Sequence, residues 1–145
     1  ELKVNYRLND NYEFTFHTGG NYYLINSARI GFENIKASDY NIGLNAQIVL
    51  PWKLQLTTDM TMFARRGYQQ SEMNTTDWIW NIQLARTFLK GHLTAKLQGF
   101  DLLQQLSNIR YIINSQGRTE SWNNSIPRYV MFSLAWKFNI NPKKN

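Results

Sequence analysis

Apolar and polar residues alternate with a period of two along most of the chain. In Asn41-Ile42-Gly43-Leu44-Asn45-Ala46-Gln47-Ile48-Val49-Leu50, the even positions are Ile, Leu, Ala, Ile and Leu. The odd positions are Asn, Gly, Asn, Gln and Val. Successive side chains of a strand point to opposite faces, so this segment reads as a strand with one greasy and one polar side. The same parity recurs in 2–8, 12–16, 24–32, 54–65, 77–88, 93–97 and 130–138. The reading is about eight strands of about 7 to 14 residues, several of them longer than the usual soluble strand.

Short connections are expected at Thr18-Gly19-Gly20-Asn21, as a Gly-driven hairpin turn, at Pro51-Trp52-Lys53 and at Leu89-Lys90-Gly91. Asn9-Asp10-Asn11, Lys36 to Asp39 and Gln69 to Thr75 are expected at the opposite end. There too lies the long stretch from Asp101 to Pro127. Within it, Asp101 to Leu106 reads as one helical turn, Arg110 to Asn114 as an extra strand, and Gln116-Gly117-Arg118 as its turn. Short turns at one end and growing loops at the other describe an up-and-down meander.

Alternation alone leaves the direction of the greasy face open. A soluble sandwich or lipocalin-like barrel points it inward, and a membrane barrel points it at lipid. Three features favour lipid. The polar face is rich in Asn, Gln, Thr and Ser rather than the Lys and Glu of soluble surfaces. Aromatics gather near strand ends: Trp52, Phe88, Trp136 and Phe138 beside the short turns, Tyr40, Tyr68, Trp78, Trp80 and Tyr129 beside the loops. Such rings prefer the headgroup level at both interfaces. The last strand carries Val130, Phe132, Leu134, Trp136 and Phe138 at every second position. Arg86 falls on the greasy face, beside a turn from which a long cation reaches the interface.

Composition trims the alternatives. The 145 residues make one domain at most. The longest apolar run is Ile48-Val49-Leu50-Pro51-Trp52, far short of the roughly 20 residues of a spanning helix. The absence of cysteine removes disulfide frameworks and thiolate metal sites. The net charge of +6 is scattered over nearly every strand, without the compact patch or RNA-binding signature of a nucleic-acid binder. Opening on Glu1, with no signal-peptide pattern, the chain is expected to be a mature product or a piece of something longer. Residues 1–140 form the expected barrel domain, or the C-terminal fragment of a larger barrel, and 141–145 a polar tail.

Two segments carry a family resemblance. Leu97-Gln98-Gly99-Phe100-Asp101-Leu102-Leu103-Gln104-Gln105 and Pro127-Arg128-Tyr129-Val130-Met131-Phe132-Ser133-Leu134-Ala135-Trp136-Lys137-Phe138-Asn139 are similar to the end of Bacteroidetes outer-membrane receptors. There a strand closes on Asp-Leu-Leu-Asn-Gln, and after a loop Arg-Tyr opens a final strand closing on Phe-Asn. Gln104 stands where the family usually has Asn. The specific likeness covers about residues 92–140. It implies the C-terminal part of a TonB-dependent receptor or a related outer-membrane β-barrel of a Gram-negative bacterium. Such receptors have a 22-stranded barrel and a plug, and import scarce ligands such as glycans or siderophores with energy from TonB. The alternation of Val130, Phe132, Leu134, Trp136 and Phe138 resembles the signal read by the barrel-assembly machinery. The implied partners are outer-membrane lipid, that machinery, TonB and a plug. A small structural or adhesive barrel and a soluble ligand-binding sandwich are the alternatives.

No catalytic constellation is expected. His17 and His92 lie on different strands, short of the three or four convergent ligands of a metal site. There is no Gly-x-Ser-x-Gly elbow and no phosphate-binding Gly-rich loop, so neither enzyme nor cofactor is implied. Asp59, Arg65 and Asp77 are expected on the lumen face as a charge-pairing network, a plainer role than a transport site. In Gly117-Arg118-Thr119-Glu120-Ser121-Trp122-Asn123-Asn124, the residues Arg118, Trp122, Asn123 and Asn124 are ligand-contact candidates. A Trp among amides suits a sugar face, although packing of Trp122 on the barrel rim is the plainer reading.

Overall fold

A computed structural model describes residues 1–26, 34–107, 109–114, 117–122 and 126–138. Among the described residues nine strands form: β1 (Leu2–Asn9), β2 (Tyr12–Ile25), β3 (Ile35–Leu50), β4 (Leu54–Arg66), β5 (Thr76–Phe88), β6 (Leu93–Phe100), β7 (Ile109–Asn114), β8 (Gly117–Trp122) and β9 (Tyr129–Trp136). Seven of them make one antiparallel sheet in the order β1-β2-β3-β4-β5-β6-β9, and β7 and β8 pair only with each other. The architecture is the expected all-β meander. The sheet is open, with β1 and β9 at its edges.

Apart from a shift at the end of β1, the pairing register keeps one parity across the sheet. Val4 faces Phe16, Phe16 faces Leu44, Leu44 faces Met60, and Met60 faces Trp80. Farther on, Leu84 faces Leu97 and Leu97 faces Phe132. A slip of one residue would turn a strand's greasy set to the other face. The single shift among the described strands lies between Arg7 and Asn9, at the end of β1, so elsewhere the apolar rows of the described residues lie on one side and the amide-rich rows on the other.

Three of the expected turns and loops are placed differently. Gly19 and Gly20 lie inside β2, which pairs with β3 without a break from Tyr12↔Ile48 to Ile25↔Ile35. Neither glycine takes a positive φ, and a Cβ at either would stand 3.2–3.3 Å from Asp39, Tyr40 or Asn41 of β3. The glycines make room for neighbouring side chains, and fourteen residues of cross-strand pairing override the local turn tendency. Lys36 to Asp39, expected as a loop, opens β3. The connection of β2 to β3 therefore falls in 26–34, and Ala28, Ile30 and Phe32 lie outside the described residues. Asn9-Asp10-Asn11 sits at the end of the sheet that carries the other tight turns, since the Val49 N–H donates to the Asn11 carbonyl at 2.8 Å. The Asn9 side chain accepts from the Asn11 N–H there, an Asx turn. The tight connections of the seven-stranded sheet thus share one end and its longer connections the other.

The remaining differences are local. Asp101 to Leu106 forms a turn rather than a helix, and Gly117 and Arg118 belong to β8, which leaves only 115–116 between β7 and β8. The tight turns at Pro51–Lys53 and Leu89–Gly91 hold Trp52, Lys53, Leu89 and Lys90 at positive φ. Consecutive left-handed residues match the twist of the flanking strands, at a cost that glycine would lower.

This sheet buries almost nothing large. Among the described residues, the buried apolar ones are Ala37, Ala46, Ala64, Met73 and Ala85. Leu44 is 49% exposed, Phe132 63% and Leu134 62%. The accessible surface is 11409 Å², against about 7,800 Å² for a soluble monomer of this mass. Among the described residues, nothing covers the greasy face. From Tyr40 to Leu50 it runs about 33 Å along β3, which at a barrel tilt near 40° makes a band about 25 Å tall, the height of a bilayer's apolar zone.

Candidate functional site

The polar face is built largely from cross-strand pairs of amide, hydroxyl and carboxylate groups. Thr15 Oγ1 donates to Asn5 Oδ1 at 2.8 Å, Asn81 Nδ2 to Asp59 Oδ2 at 2.8 Å, and Gln98 Nε2 to Gln83 Oε1 at 2.9 Å. His17 and Thr61 meet at 3.4 Å across the intervening strand β3. Among the described residues, no buried side-chain polar atom lacks a hydrogen-bond partner. A shallow pocket of 130 Å³ opens on this face beside Asp59, Asn81, Gln83 and Gln98.

The three residues expected as a charge network, Asp59, Arg65 and Asp77, divide between two places on this face. Arg65 lies 3.9 Å from Asp39, its neighbour on β3. Asp39 also accepts a 2.8 Å hydrogen bond from the Tyr68 hydroxyl in the loop after β4. Burial, together with that bond and the Asp39 charge, pushes the Tyr68 phenol well above its ordinary value near 10; Arg65 opposes the shift. Asp77 accepts from Thr75 Oγ1 at 3.0 Å. Asp59 sits six residues along β4 from Arg65, about 20 Å away, and bonds Asn81. Asp59, Arg65 and Asp77 share a face, but the structure does not bring them into one cluster. Asp39 and Tyr68 are the partners that the sequence pattern does not single out, because both fall in or beside segments that read as loops.

The loop end is tied down by backbone geometry. Gly67 has φ 82°, and a Cβ there would collide with the Lys36 carbonyl oxygen. Asn74 holds the same loop closed, accepting from Tyr68 N–H and donating to the Tyr68 carbonyl. Arg66 donates to the Thr75 carbonyl at 2.7 Å.

The segment after β6 does a distinct job. β6 pairs β5 only over Ile82–Phe88, so the first half of β5 has no strand at that edge. Asp101 to Gln105 fills the gap. Leu102 N–H donates to the Trp80 carbonyl at 2.9 Å, and Gln105 Oε1 accepts the Trp78 N–H at 2.8 Å. The turn is pinned by Asp101, 5% exposed, whose carboxylate accepts the N–H groups of Gln105 and Leu106 at 3.0 Å each. The Asp101 N–H in turn donates to Asn81 Oδ1 at 2.9 Å. Arg128 reaches the Leu102 carbonyl at 3.4 Å, and the Tyr129 ring stacks on Phe100 at 4.6 Å. Tyr129, expected among the outward aromatics, therefore lies on the polar face.

Of the ligand-contact candidates, Arg118 and Trp122 lie on β8 in the hairpin between β6 and β9, and Asn123 and Asn124 lie outside the described residues. Val130, Phe132, Leu134 and Trp136 share the greasy face of β9, and Phe138 follows, its ring 6.1 Å from Trp136. Trp80, Trp78 and Tyr40 stand on that face toward the loop end, and Tyr12, Phe88 and Trp136 toward the turn end. The Trp80 indole N–H donates to Thr58 Oγ1 at 2.9 Å. His17 and His92 are far apart in the sheet; His92 Nδ1 lies 3.2 Å from the Lys137 carbonyl.

An exposed greasy face of bilayer height and a hydrogen-bonded amide face describe the wall of a membrane barrel. Searches of curated proteins and of solved structures return no match. A family model described as outer membrane protein beta-barrel family matches residues 1–136. The chain belongs to that family, and its place is the outer membrane of a Gram-negative bacterium.

Proposed function

We propose that this chain is barrel wall of a ligand-importing receptor of the TonB-dependent type, and that it performs no catalysis. The observation that carries the reading is the contact between the two segments resembling such receptors. The Asp101–Gln105 turn and Arg128-Tyr129 touch through Arg128 and through the Phe100–Tyr129 stack. That turn launches the longest loop-end excursion, with the β7–β8 hairpin inside it. Loops rising from a rigid wall are where ligand contacts concentrate. In this reading ligand is captured by loops and a plug, then passes through the barrel when TonB pulls the plug. The lumen's amide and hydroxyl pairs, with a few charged residues among them, offer a hydrated, polar surface. Glycans and siderophores fit such a lining through their many hydroxyl and carbonyl groups. The further partners are outer-membrane lipid and the barrel-assembly machinery, which would read the β9 alternation; nucleic acid is not among them.

The test is uptake by intact cells. Deleting the protein should abolish import of one scarce solute among labelled glycans, ferric chelates and cofactors. Collapsing the proton gradient should abolish the same import in the parent strain. Unchanged uptake of every solute, with a leakier or softer outer membrane, would make it a structural barrel instead.

A further inference from the structure

One row of the polar face breaks its run of amides and hydroxyls. Asp59 on β4 pairs with Asn81 on β5, and Phe100 on β6 pairs with Tyr129 on β9. Asn81 and Phe100 each lie one residue beyond the Ile82↔Gly99 pair, so the four residues stand level across four strands. The row below holds Thr57, Gln83 and Gln98. Phe100 is the apolar exception on its face of β6, after Thr94, Lys96 and Gln98. The two rows line the 130 Å³ pocket through Thr57, Asp59, Asn81, Gln83, Gln98 and Phe100, all half-buried. That volume holds about four waters, which suits one small ring and not a folded chain.

The pocket has an apolar wall and a hydrogen-bonding wall. Tyr129 stacks on Phe100 from the β9 side, with 4.6 Å between centroids and 22° between planes. The opposite face of the Phe100 ring is therefore turned toward β5 and the pocket. Asp59 stands two strand spacings from Phe100, about 10 Å, with Asn81 between them. Asn81 Nδ2 donates to Asp59 Oδ2, and Gln98 Nε2 to Gln83 Oε1. These bonds leave Asp59 Oδ1 and Gln98 Oε1 as acceptors and Gln83 Nε2 as a donor.

We propose that these two rows form a subsite for one neutral pyranose ring of a glycan, a reading that rests on the import function proposed above and narrows its substrate. The apolar C–H face of the sugar lies on Phe100. Its hydroxyls reach the Asp59 carboxylate and the amides of Gln83 and Gln98. A hydroxyl donates and accepts at once, and the pocket offers both kinds of partner side by side. Charged ligands fit less well. An anion meets the Asp59 carboxylate, and an ammonium finds a single carboxylate already engaged by Asn81.

The test is a glycan array probed with the protein purified from its outer membrane in detergent, followed by titration calorimetry of the oligosaccharides that bind. The array carries neutral, acidic and amino oligosaccharides. Neutral ones should bind in preference to the others. Asp59→Asn and Phe100→Leu should each weaken that binding roughly tenfold or more. Phe100→Tyr should retain it, and Asn5→Ala, on the same face of the distant β1, should leave it unchanged. Heat-modifiable migration on a gel shows which variants are folded, and Gln83→Leu, also expected to weaken binding, replaces either one that is not. Absence of any bound neutral glycan, preference for acidic or amino glycans, or binding that the folded variants keep in full would overturn the proposal. Proton-gradient-dependent uptake separates the two readings. Uptake of a solute without glycan binding that depends on Asp59 and Phe100 overturns the subsite alone, and such binding without uptake overturns import alone.

Discussion

The imidazole of His17 occupies the space that a Cβ at Gly43 would need. Gly43 lies between His17 and Thr61 in the pairing of three strands, and its missing side chain lets the ring reach across β3. Gly43→Ala should push His17 off the wall and destabilise the barrel by about 1–2 kcal/mol, the range for overpacking. In a His17→Ala background the same change should cost less, the remaining cost being that of turning aside Thr61 Oγ1, which lies 2.6 Å from that Cβ. Urea unfolding in lipid vesicles, run as a double-mutant cycle, measures the difference.

Gly67 admits no side chain for two reasons. Its φ of 82° is left-handed, and a Cβ would strike the Lys36 carbonyl, which belongs to backbone and cannot step aside. Gly67→Ala should cost about 2–3 kcal/mol. It should also release the loop that holds Tyr68, so proteolysis of intact vesicles or cells should accelerate at 68–75.

Tyr68 gives the loop end a dependence on alkaline pH. Burial and the Asp39 carboxylate hold its phenol protonated in the folded protein past the ordinary value near 10. The unfolded chain releases that proton first, so the contribution is complete below about pH 10 and is lost as pH rises above it. Tyr68→Phe should lower stability at pH 8 by about 1 kcal/mol, the worth of one hydrogen bond. Its stability should then fall less steeply than the parent's between pH 10 and 11, as unfolding at each pH would show.

Asp101 is the buried carboxylate on which the β6 exit turns. Asp101→Asn preserves shape but replaces one acceptor with a donor facing an N–H, and should cost about 2–3 kcal/mol. Because Leu102 and Gln105 complete the exposed half of β5, amide exchange of Trp78 and Leu102 should quicken in this variant. A conserved rate at both amides would show that the turn is held by something else.

What the sequence made legible follows from period. Rows such as Ile42-Leu44-Ala46-Ile48 and Leu54-Leu56-Met60-Met62 fix strand and face together, because a buried or lipid-facing side must repeat every second residue. Gly19-Gly20 misleads because a glycine pair carries the same letters whether it turns the chain or clears space for Tyr40 and Asn41. Lys36 to Asp39 misleads because polar residues near the rim need no alternation. The Asp39–Tyr68 contact joins positions 29 apart through the β3–β4 register, which no local pattern contains. Asp101 stands out in sequence only through the resemblance of its segment, since its role is to bond backbone rather than side chains.

The central claim is that the Leu44 side of the sheet meets hydrocarbon and the Asn45 side meets the enclosed water. Leu44→Cys and Asn45→Cys, adjacent on β3, can each carry a spin label in the protein reconstituted in vesicles. The Leu44 label should relax strongly with oxygen, which concentrates in lipid, and weakly with a water-soluble nickel chelate. The Asn45 label should do the reverse. Preference for the chelate at Leu44 and for oxygen at Asn45 would contradict the account.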